Sequence, residues 1–142
     1  MIVIDTNVLS ELMRPDPAAS VQRWVARVGY DGLCVTAITQ AEILSGIAIL
    51  PPGRRRDALD SAAHKTFAVG FAGPILSFDS KAAEHYAEII ALRRRLGRST
   101  APLDMMIVAI ARSNGAAVAT RNINDFSGCG VALHDPWKEA AL

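Results

Sequence analysis

Apolar positions in this chain follow two rhythms. The first is a set of short, nearly uninterrupted runs: Ile2-Val3-Ile4, Leu33-Cys34-Val35, Pro74-Ile75-Leu76-Ser77-Phe78, Ala117-Val118-Ala119 and Val131-Ala132-Leu133. Runs of this length, bounded by polar or turn residues, predict strands buried on both faces. The second rhythm has the spacing of helices. A short helix is expected from Asn7 to Leu12, with Asp5 or Thr6 at its N-cap. Arg14-Pro15-Asp16-Pro17 ends it, and Asp16 is expected to cap the next helix with Pro17 at its first position. Val21, Trp24, Val25 and Val28 share one face of that helix, which closes near Gly29.

After Thr36 a helix is predicted from Ala37 to Leu50, closed by Pro51-Pro52-Gly53. Another runs from Arg54 to about Phe67 with Leu59, Ala62 and Ala63 inward. Asp79-Ser80 caps a long helix through Arg95, with Ala82, Tyr86, Ile89 and Ile90 on one stripe and Gly97 as its stop. Ala101-Pro102 opens a very apolar helix, Leu103 to Ser113, which Asn114-Gly115 stops. Strands alternating with helices imply an α/β fold whose parallel sheet is covered on both faces. With 142 residues and no repeat, linker or low-complexity tract, the expectation is one domain over residues 1–142.

Composition narrows the class. Half of the chain is apolar (51%), so a disordered chain is excluded. No apolar run approaches the roughly 18 residues of a membrane helix. The N-terminus has no basic region of the kind that opens a signal peptide. Cys34 and Cys129 are too few for a disulfide framework, so a reducing cytoplasm is expected. A net charge of +1 predicts no strong nonspecific pull toward nucleic acid or membrane. That balance conceals an excess of Arg, 12 against 3 Lys, with clusters at Arg54-Arg55-Arg56 and at Arg93-Arg94-Arg95 with Arg98. Each cluster also reads as a solvated helix face.

In parallel α/β sheets the reactive crevice lies beyond the carboxyl ends of the strands. Asp5-Thr6-Asn7 follows the first strand, and Thr36 follows the second with Glu42 on the next helix. Thr120-Arg121-Asn122 follows the strand at Ala117–Ala119, with Asp125 shortly after. Asp104 stands in the first turn of the apolar helix. Each acid has an ordinary alternative: Asp5 an N-cap, Asp104 a partner of the helix dipole, Glu42 an exposed helix residue, Asp125 a turn residue. Together they suggest a site. If Asp5, Glu42 and Asp104 converge they need a cation to remain ionised. Oxygen ligands without His or Cys select Mg²⁺ or Mn²⁺. Thr6 and Asn7 would hold the carboxylates or the metal-bound water, a phosphodiester is the natural substrate, and arginines would meet its phosphates. A phosphate-binding Gly-rich loop, a His-Glu-x-x-His pair and a nucleophile elbow are all missing. His64, His85 and His134 lack metal-ligand spacing; Cys34 and Trp24 read as core, and Trp137 as a docking anchor.

Four segments in this order resemble the PIN-domain family, in particular its VapC-type toxins. They are Ile2 to Val8, Thr36 with Ala41-Glu42 and Gly46, Pro102-Leu103-Asp104, and Ala119-Thr120-Arg121-Asn122 with Asp125-Phe126. The ending Asp135-Pro136-Trp137 resembles the FitB-like branch. The resemblance implies a three-layer α/β/α sandwich around a mainly parallel sheet of four to five strands. It implies a Mg²⁺- or Mn²⁺-dependent ribonuclease with Asp5, Glu42 and Asp104 on the metal, and with Thr120 and Asn122 positioning water or the carboxylates. It also implies a VapB-like antitoxin, a homodimer, and an RNA substrate, of which tRNA is one type for the family. Arg93, Arg94, Arg95, Arg98 and Arg121 are the candidate phosphate contacts. The family's fourth acid is replaced here by Asn122, leaving Asp125 as a substitute or as a ligand of a second metal. Two other classes remain open: a phosphatase or receiver-like protein phosphorylated on Asp5, and a non-catalytic PIN-like module that binds RNA or a partner.

Overall fold

In the structure, a computed structural model that describes residues 1–69, 71 and 74–139, β1 (Ile2–Ile4) lies inside a four-stranded sheet. β2 (Leu33–Cys34) flanks it on one side, β3 (Ala117–Ala119) on the other, and β4 (Leu133–His134) lies outside β3. All three pairings are parallel. The register sorts side chains into two layers. Val3 is level with Cys34 and Val118, and these three join one core; Ile4, Leu33 and Ala119 join the other. That is the period-two alternation of a sheet covered on both faces.

The first core is closed by α5 (Ser80–Arg95) and α6 (Pro102–Ser113), through Ile89, Met105, Val108 and Ala111. α6 is buried almost all round, from Ile107 through Ala111, which explains its uninterrupted apolar sequence. The second core is closed by α1 (Thr6–Leu12) and α2 (Ala19–Val28), through Val8, Leu9, Trp24 and Val25. Ile43 of α3 (Ala37–Ala48) and Phe67 of α4 (Arg54–Val69) pack at its margin. A short α7 (Ile123–Phe126) links β3 to the final segment, and Phe126 is buried in the first core. Each large aliphatic side chain so buried contributes roughly 1.5–3 kcal/mol. The three-layer expectation is met.

Several local expectations are corrected. Asp16 caps nothing, and α2 begins at Ala19 rather than at Pro17, with Ala18 as an N-cap that uses no side chain. The carboxylate of Glu11, reaching over from α1, accepts a hydrogen bond from the Ala18 amide at 3.1 Å. Pro74–Phe78 forms no strand. Leu76 alone bridges Thr36, because Thr36 is already the N-cap of α3 and carries the neighbouring chain out of the sheet. The last strand lies at Leu133–His134 instead of Val131–Leu133. Ala62 is exposed, whereas Ala63 is fully buried. Asp79 behaves as predicted, its carboxylate accepting from the Ala82 amide at 2.9 Å.

Candidate active site

The sheet ladder continues one residue past the strands and sets the site's first two side chains in place. The Asp5 amide donates to the Ala119 carbonyl at 2.9 Å, and the Thr120 amide donates to the His134 carbonyl at 2.9 Å. Asp5 and Thr120 therefore stand side by side at the carboxyl edge of the sheet. Both are buried. Asp5 Oδ1 caps α1 by accepting from the Thr6 amide at 2.7 Å. Its Oδ2 accepts from the Thr120 hydroxyl at 2.9 Å and from Asn7 Nδ2 at 3.1 Å. The capping alternative and the functional one are thus compatible, since Asp5 caps α1 and also lines a cavity.

That cavity, about 650 Å³, is bounded by Asp5, Glu42 and Asp104 together with Thr6, Asn7, Arg121 and Asn122. Each acid arrives from a different element: Asp5 from the end of β1, Glu42 from α3, Asp104 from the first turn of α6. Thr6 fixes Glu42, its hydroxyl donating to Oε1 at 2.7 Å. Asn7 links two walls. Its Nδ2 serves Asp5, and its Oδ1 accepts from the Arg121 amide at 3.3 Å. Thr120 Oγ1 in turn accepts from the Asn122 amide at 3.1 Å. Burial pushes the Asp5 carboxyl up to about 6; hydrogen bonds from Thr120 and Thr6 pull it down, while Asp104 and Glu42 add to the rise. Asp104 is raised too, first by burial and then by Glu42 and Asp125.

Among the described residues, no three His, Cys, Asp or Glu side chains are gathered as a ready-made metal cage. The acids instead surround an open cavity. Such an arrangement fits Mg²⁺ or Mn²⁺, which take oxygen ligands and keep water in several of their positions. A divalent cation would also relieve the burial and mutual repulsion that raise Asp5 and Asp104. The donor set therefore fits the expected metal.

Other sequence-derived residues fall differently. Asn122 lines the cavity with an exposed side chain. Asp125 is exposed on α7 and lines an adjacent groove with Asp135 and Lys138; it reaches the acidic cavity through its charge on Asp104. Of the five candidate arginines, only Arg121 borders the cavity. Arg93 is corrected outright: 1% exposed, it donates from Nε to the Ser99 carbonyl at 2.8 Å and from a terminal nitrogen to the Ser127 carbonyl. It closes the end of α5, and no phosphate reaches it. Arg98 bonds the Ser127 hydroxyl, and Arg94 and Arg95 are exposed at the C-terminal end of α5, where cations suit the helix dipole. A guanidinium fork fits carbonyls as well as phosphates, so the sequence cluster does not distinguish the two. Cys34 is inert core, its thiol pushed up to about 11 by burial.

The sequence reading missed Glu11, Arg14 and Trp137 as cavity walls. For Glu11 the signal is helical: Asn7 and Glu11 stand four residues apart on the face of α1 opposite Val8, Leu9 and Leu12, whereas Arg14 and Trp137 lie outside the helix and carry no such signal.

The PIN domain family profile matches residues 2–127, and the chain belongs to that family. Its relatives include Plasmid stability protein StbB of Pseudomonas syringae pv. tomato, 39% identical over 97% of this chain and 99% of the relative. VapC ribonuclease Y4jK of Sinorhizobium fredii is 35% identical, covering 99% and 100%. Toxin FitB of Neisseria gonorrhoeae is 35% identical, covering 98% and 100%. The crystal structure of FitAcB from that species superposes with a TM-score of 0.85 at 35% identity, covering 98% and 100%. The resemblance to the FitB-like branch is thus borne out.

Proposed function

We propose that this chain is the toxin of a type II toxin–antitoxin pair, an endoribonuclease that hydrolyses RNA phosphodiester bonds with Mg²⁺ or Mn²⁺ and is neutralised by a small VapB-like antitoxin. Relatives named as a VapC ribonuclease and a toxin, matched end to end, support the class. The observation that carries the mechanism is the buried Asp5 carboxylate, held by Thr120 and Asn7 beside Glu42 and Asp104 in one cavity.

Asp5, Glu42 and Asp104 would hold the cation. When bound, such a cation neutralises charge on a phosphate oxygen and lowers the pKa of water. The protein's own groups supply the order. Thr120 and Asn7 point Asp5 into the cavity, and Thr6 does the same for Glu42. Preset ligands need no reorganisation when substrate arrives. Asn122 replaces a charged ligand with a neutral amide, which favours one cation over two in the resting site. The phospho-aspartate reading is disfavoured because the relatives matched end to end are named as a ribonuclease and a toxin. The reading places the protein in the cytoplasm as a homodimer, with RNA, structured RNA included, as substrate.

Expression of the chain alone in a bacterial host tests the class. Growth arrest, relieved by co-expressing its antitoxin and absent in Asp5→Asn, is expected. Unimpaired growth of a sensitive host, or equal arrest by Asp5→Asn, contradicts it.

A further inference from the structure

Arg121 stands on the wall of the acidic cavity, yet among the described residues it pairs with no carboxylate. Instead its guanidinium lies over the Trp137 ring, 4.8 Å from the centroid. A guanidinium held over a ring satisfies its charge on the π face and still carries N–H groups that can serve a bidentate acceptor. Trp137 is itself seated. Its ring packs at the margin of the second core, and its amide donates to Asp135 Oδ1 at 3.0 Å. The other end of the arrangement is also fixed. Asn7 holds the Arg121 amide with one end of its side chain and the Asp5 carboxylate with the other. A positive fork and a carboxylate that would hold a cation are thus set a fixed interval apart along one wall.

We propose that Arg121 contacts a backbone phosphate of the RNA strand, and that Trp137 is the positioning residue that holds its guanidinium in place. The inference rests on the ribonuclease reading and names the part of the cavity that grips the substrate. Two charges are separated by role: the acids take the cation, and Arg121 takes a phosphate that the acids would otherwise repel. Trp137 lies in the Asp135-Pro136-Trp137 ending, so that ending is assigned a job at the site beyond docking the chain end.

The test is RNA binding in EDTA, where neither metal nor cleavage contributes, followed by fluorescence anisotropy of a labelled oligoribonucleotide between about 50 and 200 mM salt. Arg121→Gln is expected to weaken binding and to reduce the salt slope by about 0.7 to 1, the loss of one phosphate contact. Trp137→Leu is expected to weaken binding about 3- to 10-fold with the parent's salt slope. Trp137→Phe, which keeps a ring, is expected to restore most of it. In an Arg121→Gln background Trp137→Leu is expected to cost nothing more. Equal affinity of parent and Trp137→Leu overturns the proposal. So does an equal loss in both backgrounds, which would mean that the ring meets the RNA itself. Should Trp137→Leu fail to fold, Arg121→Lys carries the test: charge without a flat face is expected to bind weakly, and parent-level affinity overturns the proposal. A parent chain that neither binds nor cuts RNA removes the ribonuclease reading and this inference together. A parent that does both, with Trp137→Leu indistinguishable from it, removes only this one.

Discussion

Asp5→Asn should make the metal-free protein more stable at alkaline pH, although it removes the residue most central to the site. Asp5 titrates at about 6 in the folded chain against an ordinary 3.8. Keeping it ionised therefore costs roughly 3 kcal/mol, at about 1.4 kcal/mol per unit. Because the folded pKa lies above the unfolded one, the folded state binds more protons between about 4 and 6, and stability falls as pH rises through that window. Above it the whole penalty is present; below it there is none. Asparagine caps a helix about as well as aspartate, so the hydrogen bond from Thr6 survives. Its amide nitrogen would face the Asn7 amide, which costs about 1 kcal/mol. The net gain is about 1–2 kcal/mol, a rise in Tm of about 3–6 °C for a chain of this size. Thermal unfolding in EDTA at about pH 8 and again near pH 4 reads it. The gain should disappear or reverse at the lower pH. Added Mn²⁺ should raise the parent's Tm and leave the variant's nearly unchanged. A variant that is equally destabilised at both pH values refutes the account of a carboxylate held ionised against burial.

Two further outcomes follow from the same contacts. Arg93→Ala removes a buried side chain and the charged donor that the carbonyls of Ser99 and Ser127 share, and should cost about 1.5–3 kcal/mol in denaturant unfolding; a near-neutral variant contradicts the structural role assigned to Arg93. Glu139 accepts from Arg27 at 2.7 Å and contacts His134 Nδ1 at 2.6 Å; burial raises its carboxyl, but the hydrogen bond and charge of His134, with Arg27, outweigh that and hold it below its usual value. Its stabilisation is present above the ordinary carboxylate pKa and is lost as pH falls through the lowered one, so Glu139→Gln should be destabilised at neutral pH and match the parent in strong acid. Parallel stability curves at every pH count against the pairing.

Much of this fold was legible because its strands are short and fully apolar and its helices carry explicit caps. Asp5, Thr36 and Asp79 cap as their positions suggest. What could not be read was long-range satisfaction. Nothing local indicates that Glu11 serves the Ala18 amide, so Asp16 looked the better cap. The strand at Leu76 failed for a similar reason: its length depends on where the neighbouring chain leaves the sheet at Thr36. At the site, the acids were legible from their places after strands and in a first helical turn. The arginines were not, because charge alone does not tell a backbone staple such as Arg93 from a free fork such as Arg121. That difference is made by Ser99, Ser127 and Trp137, all distant in sequence or on other elements.

The most direct test is cleavage of labelled RNA by the purified, antitoxin-free chain with Mg²⁺ or Mn²⁺, with EDTA, and as Asp104→Asn. Cleavage only with the cation, lost in Asp104→Asn while RNA binding in EDTA persists, is the expected result. Cleavage that survives EDTA, or that proceeds equally in Asp104→Asn, contradicts a site built on Asp5, Glu42 and Asp104.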